Sequence, residues 1–116
     1  SLIVSAKYNI VCEQATTFNL DFVVQTGNVP WDLTGYDATM TIRPFVGSNE
    51  TTLLATNDNG LITLGTTGGD VNVTFSAATT ADLEPGRYAY DFVFDSGSVV
   101  TRLLEGKFIV VAGVTV

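Results

Sequence analysis

Apolar and polar residues alternate along most of this chain with a period of two. Phe18, Leu20, Phe22 and Val24 fall on one parity, with Asn19, Asp21 and Gln25 on the other. Ala38, Met40 and Ile42 alternate with Thr39, Thr41 and Arg43, and Val71, Val73 and Phe75 with Asn72, Thr74 and Ser76. Tyr88, Tyr90, Phe92 and Phe94 oppose Arg87, Asp91 and Asp95. Successive side chains of a strand point to opposite faces, so each run describes a strand with one buried and one wet face. That is the pattern of antiparallel sheets packed on one side. Helical periodicity is nearly absent.

Turn-forming clusters separate the runs: Thr26-Gly27-Asn28, Gly47-Ser48-Asn49, Asn57-Asp58-Asn59-Gly60, residues 65–70, Pro85-Gly86 and Ser96-Gly97-Ser98. This punctuation predicts strands over residues 8–13, 17–25, 37–43, 51–55, 61–64, 71–76, 87–95, 98–104 and 106–111. Gly106, between the last two, marks a bulge or kink. Residues 77–83 are the single helical candidate, with Ser76 as its cap and Pro85 as its stop.

Pro85 and Gly86 turn directly into a strand whose tyrosines are two apart. A short helical crossing, a Pro-Gly turn and a Tyr-x-Tyr strand together match one corner of an immunoglobulin-like sandwich. There a tyrosine near the strand start returns its hydroxyl to upstream backbone. Tyr88 is the matching residue, expected to be buried and bonded to backbone within residues 76–86. Tyr90 stands where antibody domains carry a cysteine, so an aromatic ring fills that place; the plainer alternative is that both tyrosines only pack. The expected fold is all-β: an immunoglobulin-like antiparallel β-sandwich of about seven to nine strands with one short helical turn, a single domain over residues 1–116.

Composition narrows the function. A chain of 116 residues, 46% hydrophobic and 15% charged, buries a core without metal or disulfide staples and is not expected to be disordered. Five basic residues against a net charge of −7 argue against nucleic acid and anionic membranes as partners. No apolar run approaches the ~20 residues of a membrane span, and residues 1–7 lack the basic start and apolar core of a signal peptide. Cys12 is the only cysteine, so no intrachain disulfide forms and a reducing compartment of synthesis is expected.

Little catalytic chemistry is available. Without histidine, Ser-His-Asp and Cys-His arrangements cannot be built within one chain, nor can the usual Cys/His zinc sites. Cys12 shares parity with Tyr8 and Ile10 and reads as a small buried hydrophobe rather than a reactive thiol. Asp91 and Asp95 lie about 13 Å apart at strand rise, too far for a glycosidase pair at roughly 5–9.5 Å. Asn57-Asp58-Asn59-Gly60 lacks the flanking acids and helices of a calcium loop and reads as a hairpin turn. Trp31 either covers the end of the core or contributes to a contact surface.

The order of motifs resembles a family of small immunoglobulin-like proteins and domains encoded in tailed-phage structural modules. The resemblance is carried by Lys7-Tyr8-Asn9-Ile10, by Glu13 to Phe18, by the run from Asp32-Leu33-Thr34-Gly35-Tyr36 to Arg43, and by Gly60 to Gly65. It continues through residues 76–81, then Pro85-Gly86-Arg87-Tyr88-Ala89-Tyr90-Asp91, and closes on Val100 to Gly106. Ala15 stands where the family more often has glycine. The resemblance implies a structural role in the virion, after synthesis in the host cytoplasm, with no enzymatic activity and no cofactor. The expected partners are other virion proteins, met in multiple copies of a symmetric assembly. The leading expectation is a tail- or baseplate-associated component such as a fibre-attachment adaptor. A capsid decoration (cement) protein is the alternative. A carbohydrate-binding module for host-surface glycans, using Trp31 and Tyr36, is an alternative of another class. Candidate contacts with neighbouring subunits are Trp31 and the uncharged ends, Leu2, Ile3 and Val4 with Val114 and Val116; those ends could equally pair within the sandwich's own sheets.

Overall fold

The alternating runs become facing sheets in the computed structural model, which describes residues 6–113. In chain order the elements are β1 (Ala6–Lys7), β2 (Ile10–Glu13), β3 (Phe18–Val23), β4 (Gln25–Thr26), β5 (Val29–Pro30) and β6 (Asp37–Arg43). There follow β7 (Leu53–Thr56), β8 (Ile62–Leu64), β9 (Asp70–Phe75), α1 (Ala77–Ala81), β10 (Gly86–Asp95) and β11 (Val100–Val111). The larger sheet runs β1-β11-β10-β6-β7, with β2 also paired to β11; the smaller runs β3-β9-β8, and β4 and β5 form a separate ribbon. The protein is an all-β sandwich with one short helix, and its division of strands between sheets is immunoglobulin-like.

Three features depart from the expectation. First, the described residues form eleven strand segments rather than seven to nine. The expected first strand, residues 8–13, begins only at Ile10 and is preceded by the unforeseen β1, and residues 17–25 split into β3 and part of the β4–β5 ribbon. Second, the sandwich is not wholly antiparallel, because β1 and β2 both run parallel to β11. Third, Gly106 does not interrupt a strand. The strand β11 passes straight through it, and the register shift falls beside Leu103, where Phe92 pairs with Leu104 but Val93 with Arg102.

The inward parity carries the aromatic core. Phe75, Phe92, Phe94 and Phe108 are fully buried. Phe108 on β11 meets Phe18 and Phe75 of the opposite sheet edge-on, with centroids 5.6 and 6.3 Å apart. Phe92 meets Phe22 at 5.3 Å in the same way. These contacts bridge the two sheets at separate heights.

The helix α1 is held to five residues by its caps. Ser76 Oγ accepts from Thr79 N at 3.2 Å, and Asp82 closes the last turn. Its buried Thr80 donates to the carbonyl of Thr16 at 2.7 Å, and Gln14 Nε2 donates to that of Leu83 at 2.9 Å. The Glu13–Phe18 turn is thereby tied to the helix. Within that turn Ala15 sits at φ +65°, a left-handed conformation that penalises a Cβ. Ala15→Gly is therefore expected to raise stability by up to about 1 kcal/mol, the relieved strain outweighing the added chain entropy. Urea denaturation of both proteins measures it, and a lower midpoint for glycine would contradict the strain.

Candidate functional site

Each motif residue singled out in the sequence has a structural task. Pro85 and Gly86 lead into β10, and Tyr88 donates its hydroxyl to the carbonyl of Glu84 at 2.6 Å, four residues upstream. The corner bond is present, although Tyr88 is half-buried rather than buried. Burial, and the nearby Glu84 carboxylate, push its pKa above the usual phenol value.

Tyr90 is buried, and its hydroxyl reaches past β11 within the same sheet to donate to the carbonyl of Tyr8 at 2.6 Å. Its cross-strand partner is Gly106. A Cβ at Gly106 would land on the Tyr8 carbonyl oxygen, with the carbonyl carbon at 2.9 Å and Asn9 Oδ1 at 3.1 Å. The missing side chain is what admits the first strand against β11. Tyr8 N donates to Glu105 O at 2.9 Å and Lys107 N to Asn9 Oδ1 at 3.1 Å, which completes the junction.

This junction predicts a pH response. Burial, then the neighbouring Tyr8 and Glu105, raise the Tyr90 pKa from 10.0 to about 12. The neutral phenol is favoured in the native state, so the unfolded chain ionises first as pH rises. The stabilisation is complete below pH 10 and is lost as pH climbs through about 12. Tyr90→Phe is expected to flatten that decline and, at neutral pH, to cost roughly 1 kcal/mol by removing the part-buried bond to the Tyr8 carbonyl. Thermal melts between pH 9 and 12 decide it; parallel losses in the two proteins would exclude Tyr90 as the cause.

The Asp-Leu-Thr-Gly-Tyr stretch builds the turn into β6. Asp32 Oδ1 accepts from Thr34 N at 3.0 Å, and the Thr34 hydroxyl and N–H hold the Asp32 carboxyl below its usual pKa. Leu33 is buried, Tyr36 N donates to Leu33 O at 3.0 Å, and Gly35 supplies the positive φ of +81° that closes the turn. Trp31 is half-buried against Tyr36, centroids 6.1 Å apart, and its indole N–H donates to Thr26 Oγ1 at 2.9 Å. It packs against the core at the end of the sandwich, as a lid does.

The Asn57–Gly60 loop is not a hairpin, because β7 and β8 belong to different sheets. It is a crossing, and its amides are engaged. Asn57 Oδ1 accepts from Ala38 N at 2.9 Å, and Asn59 Oδ1 accepts from Thr56 N and Leu61 N at 3.0 and 3.1 Å. Among the described residues no three Cys, Asp or Glu side chains converge as metal ligands would. Cys12 is buried, which raises its thiol pKa and keeps it protonated.

The outer face of the larger sheet is different in character. Asp91 lies between Arg43 at 3.6 Å and Arg102 at 3.2 Å. Beside them the β6–β7 turn presents Phe45 and Val46, 63% and 88% exposed. Together they border a shallow cavity of about 360 Å³. Nothing in the sequence pattern marked this face, because its members come from three separate strands and a turn. Leu2, Ile3, Val4, Val114 and Val116, the terminal contact candidates, lie outside the described residues. In comparison with known proteins, the chain matches no protein-family model, and no curated protein is significantly similar to it in sequence.

Proposed function

We propose that the protein is a non-enzymatic structural component of a tailed-phage virion, positioned at the tail or baseplate as an adaptor to which fibres attach. The observation that carries this reading is the order of the family-like motifs together with where each falls in the fold. The Asp32–Tyr36 stretch makes the turn into β6, the Pro85–Asp91 stretch makes the corner, and the Val100–Gly106 stretch makes the half of β11 that receives the first strand. A resemblance that spans the turns and junctions of the whole domain supports a shared architecture, and with it the role the family performs. The aromatic residues serve that architecture: Trp31 gives its indole N–H to Thr26, which favours a lid over a sugar platform. Cryo-electron microscopy and mass spectrometry of the particle whose genome encodes the chain test the reading. Density for the sandwich at the tail or baseplate is expected. Density on the capsid would transfer it to the decoration class, and its absence from purified particles would refute a virion role.

A further inference from the structure

The strands of the larger sheet hold every basic residue of the chain. Lys7 is on β1, Arg43 on β6, Arg87 on β10, and Arg102 and Lys107 on β11. Because Tyr90, Phe92 and Phe94 point into the core, the odd-numbered residues of β10 point outward. Register then places Arg43 and Lys107 on either side of Ala89, Arg102 beside Val93, and Lys7 beside Glu105, all on the outer face. The same face holds five of the twelve acidic residues: Glu13, Asp37, Asp91, Asp95 and Glu105. It is therefore neutral, and the other seven acids, with no basic residue among them, carry the whole net charge of −7.

Exposed apolar side chains gather on this face too. Val11, Leu54, Val100 and Val111 are on its outward parity, and Phe45 and Val46 stand at its rim. The rest of the chain carries seven acids and no base, so an approaching copy meets net negative charge there. Here it meets apolar surface with mixed charge, the composition of an interface rather than of a solvated face.

Charge is also graded along the strands. Asp37 and Asp95 pair with each other at one end, with Arg102 the nearest base, while Arg43, Arg87 and Lys107 surround Ala89 toward the other, where Glu13 is the one acid. We infer that this face is a self-association surface on which a second copy of the chain docks face to face with its strands running antiparallel. A two-fold axis crossing the strands near the middle of β10 lays the Asp37–Asp95 end of each copy over the Arg87–Lys107 end of the other. The opposite choice, an axis along the strands, would stack like charges. At a rise of about 3.3 Å per residue and about 4.8 Å between strands, the residues of β1, β2, β6, β7, β10 and β11 cover roughly 600 Å². That is the lower end of what one partner contributes to an interface of standard size. The inference does not depend on the virion reading.

Sedimentation velocity of the full chain over a concentration series tests it. A dimer of micromolar affinity or tighter is expected. R87E/K107E changes two exposed residues and should weaken it at least tenfold by setting acid against acid. Adding D37K/D95K to that variant should restore the dimer, because the complementarity is then reversed rather than lost. Ala89→Trp, at the centre of the face, should weaken the dimer without touching any charge, and thermal melts check that each variant is folded. A wild-type chain that stays monomeric at several hundred micromolar overturns the inference. So does a closed trimer or ring, or a dimer indifferent to R87E/K107E and to Ala89→Trp.

Discussion

Phe108→Ala is expected to lower the unfolding free energy by about 3–5 kcal/mol, the range for deleting a large buried ring. Phe108 is fully buried on β11 and sits edge-on to Phe18 and Phe75 of the opposite sheet. Its removal therefore leaves a cavity between two sheets whose backbones are fixed by their own ladders. Those ladders resist collapse, so the loss should fall near the upper part of the range. Against a total stability of roughly 5–15 kcal/mol this is a large fraction. Phe108→Leu, which keeps most of the volume, should recover much of it. Equilibrium denaturation measures both, and a loss below about 1 kcal/mol for alanine would show that the ring does not wedge the sheets together.

Gly106→Ala is the second large effect, out of proportion to a single methyl group. The added Cβ would meet the Tyr8 carbonyl oxygen, a backbone atom that cannot swing aside. Tyr8 is held on three sides, by its N–H to Glu105, by its carbonyl from Tyr90, and by the neighbouring Asn9 to Lys107. Moving it breaks those bonds, each worth on the order of 1 kcal/mol, so a loss of roughly 2–4 kcal/mol is expected. Gly97→Ala provides the contrast. It has a positive φ of +99° but open space around the new Cβ, and should cost only the local strain of about 1–2 kcal/mol. Hydrogen exchange locates the difference: in Gly106→Ala, amides of residues 6–13 should lose protection while those of β6 keep theirs. Equal effects of the two substitutions would mean that close approach plays no part at Gly106.

The contrast between these glycines shows what local pattern reveals. Strands β3, β6, β9 and β10 were legible because parity depends only on neighbours in the chain, and burial follows parity except at Thr41, which is buried on the outward face. The helix was legible from Ser76 and Pro85, whose effects reach no further than a turn. The corner bond from Tyr88 to Glu84 was legible because donor and acceptor are four residues apart. By contrast, the hydroxyl of Tyr90 finds its acceptor 82 residues away, so the sequence could place its ring but not its bond.

The sequence by itself determined most of the strands, their inward faces, most of the turns and the lack of histidine-based chemistry. Each of these rests on residue type and short-range geometry. Tertiary structure alone decided that residues 6–13 run parallel to β11, that Gly106 is a docking point rather than a bulge, and that the shift in register falls at Leu103. It also decided where the charge goes. Lys7, Arg43, Arg87, Arg102 and Lys107 are scattered over a hundred residues and carry no common motif. Only the pairing of β1, β6, β10 and β11 in one sheet brings them to a single face, because strand pairing sets which distant residues become neighbours.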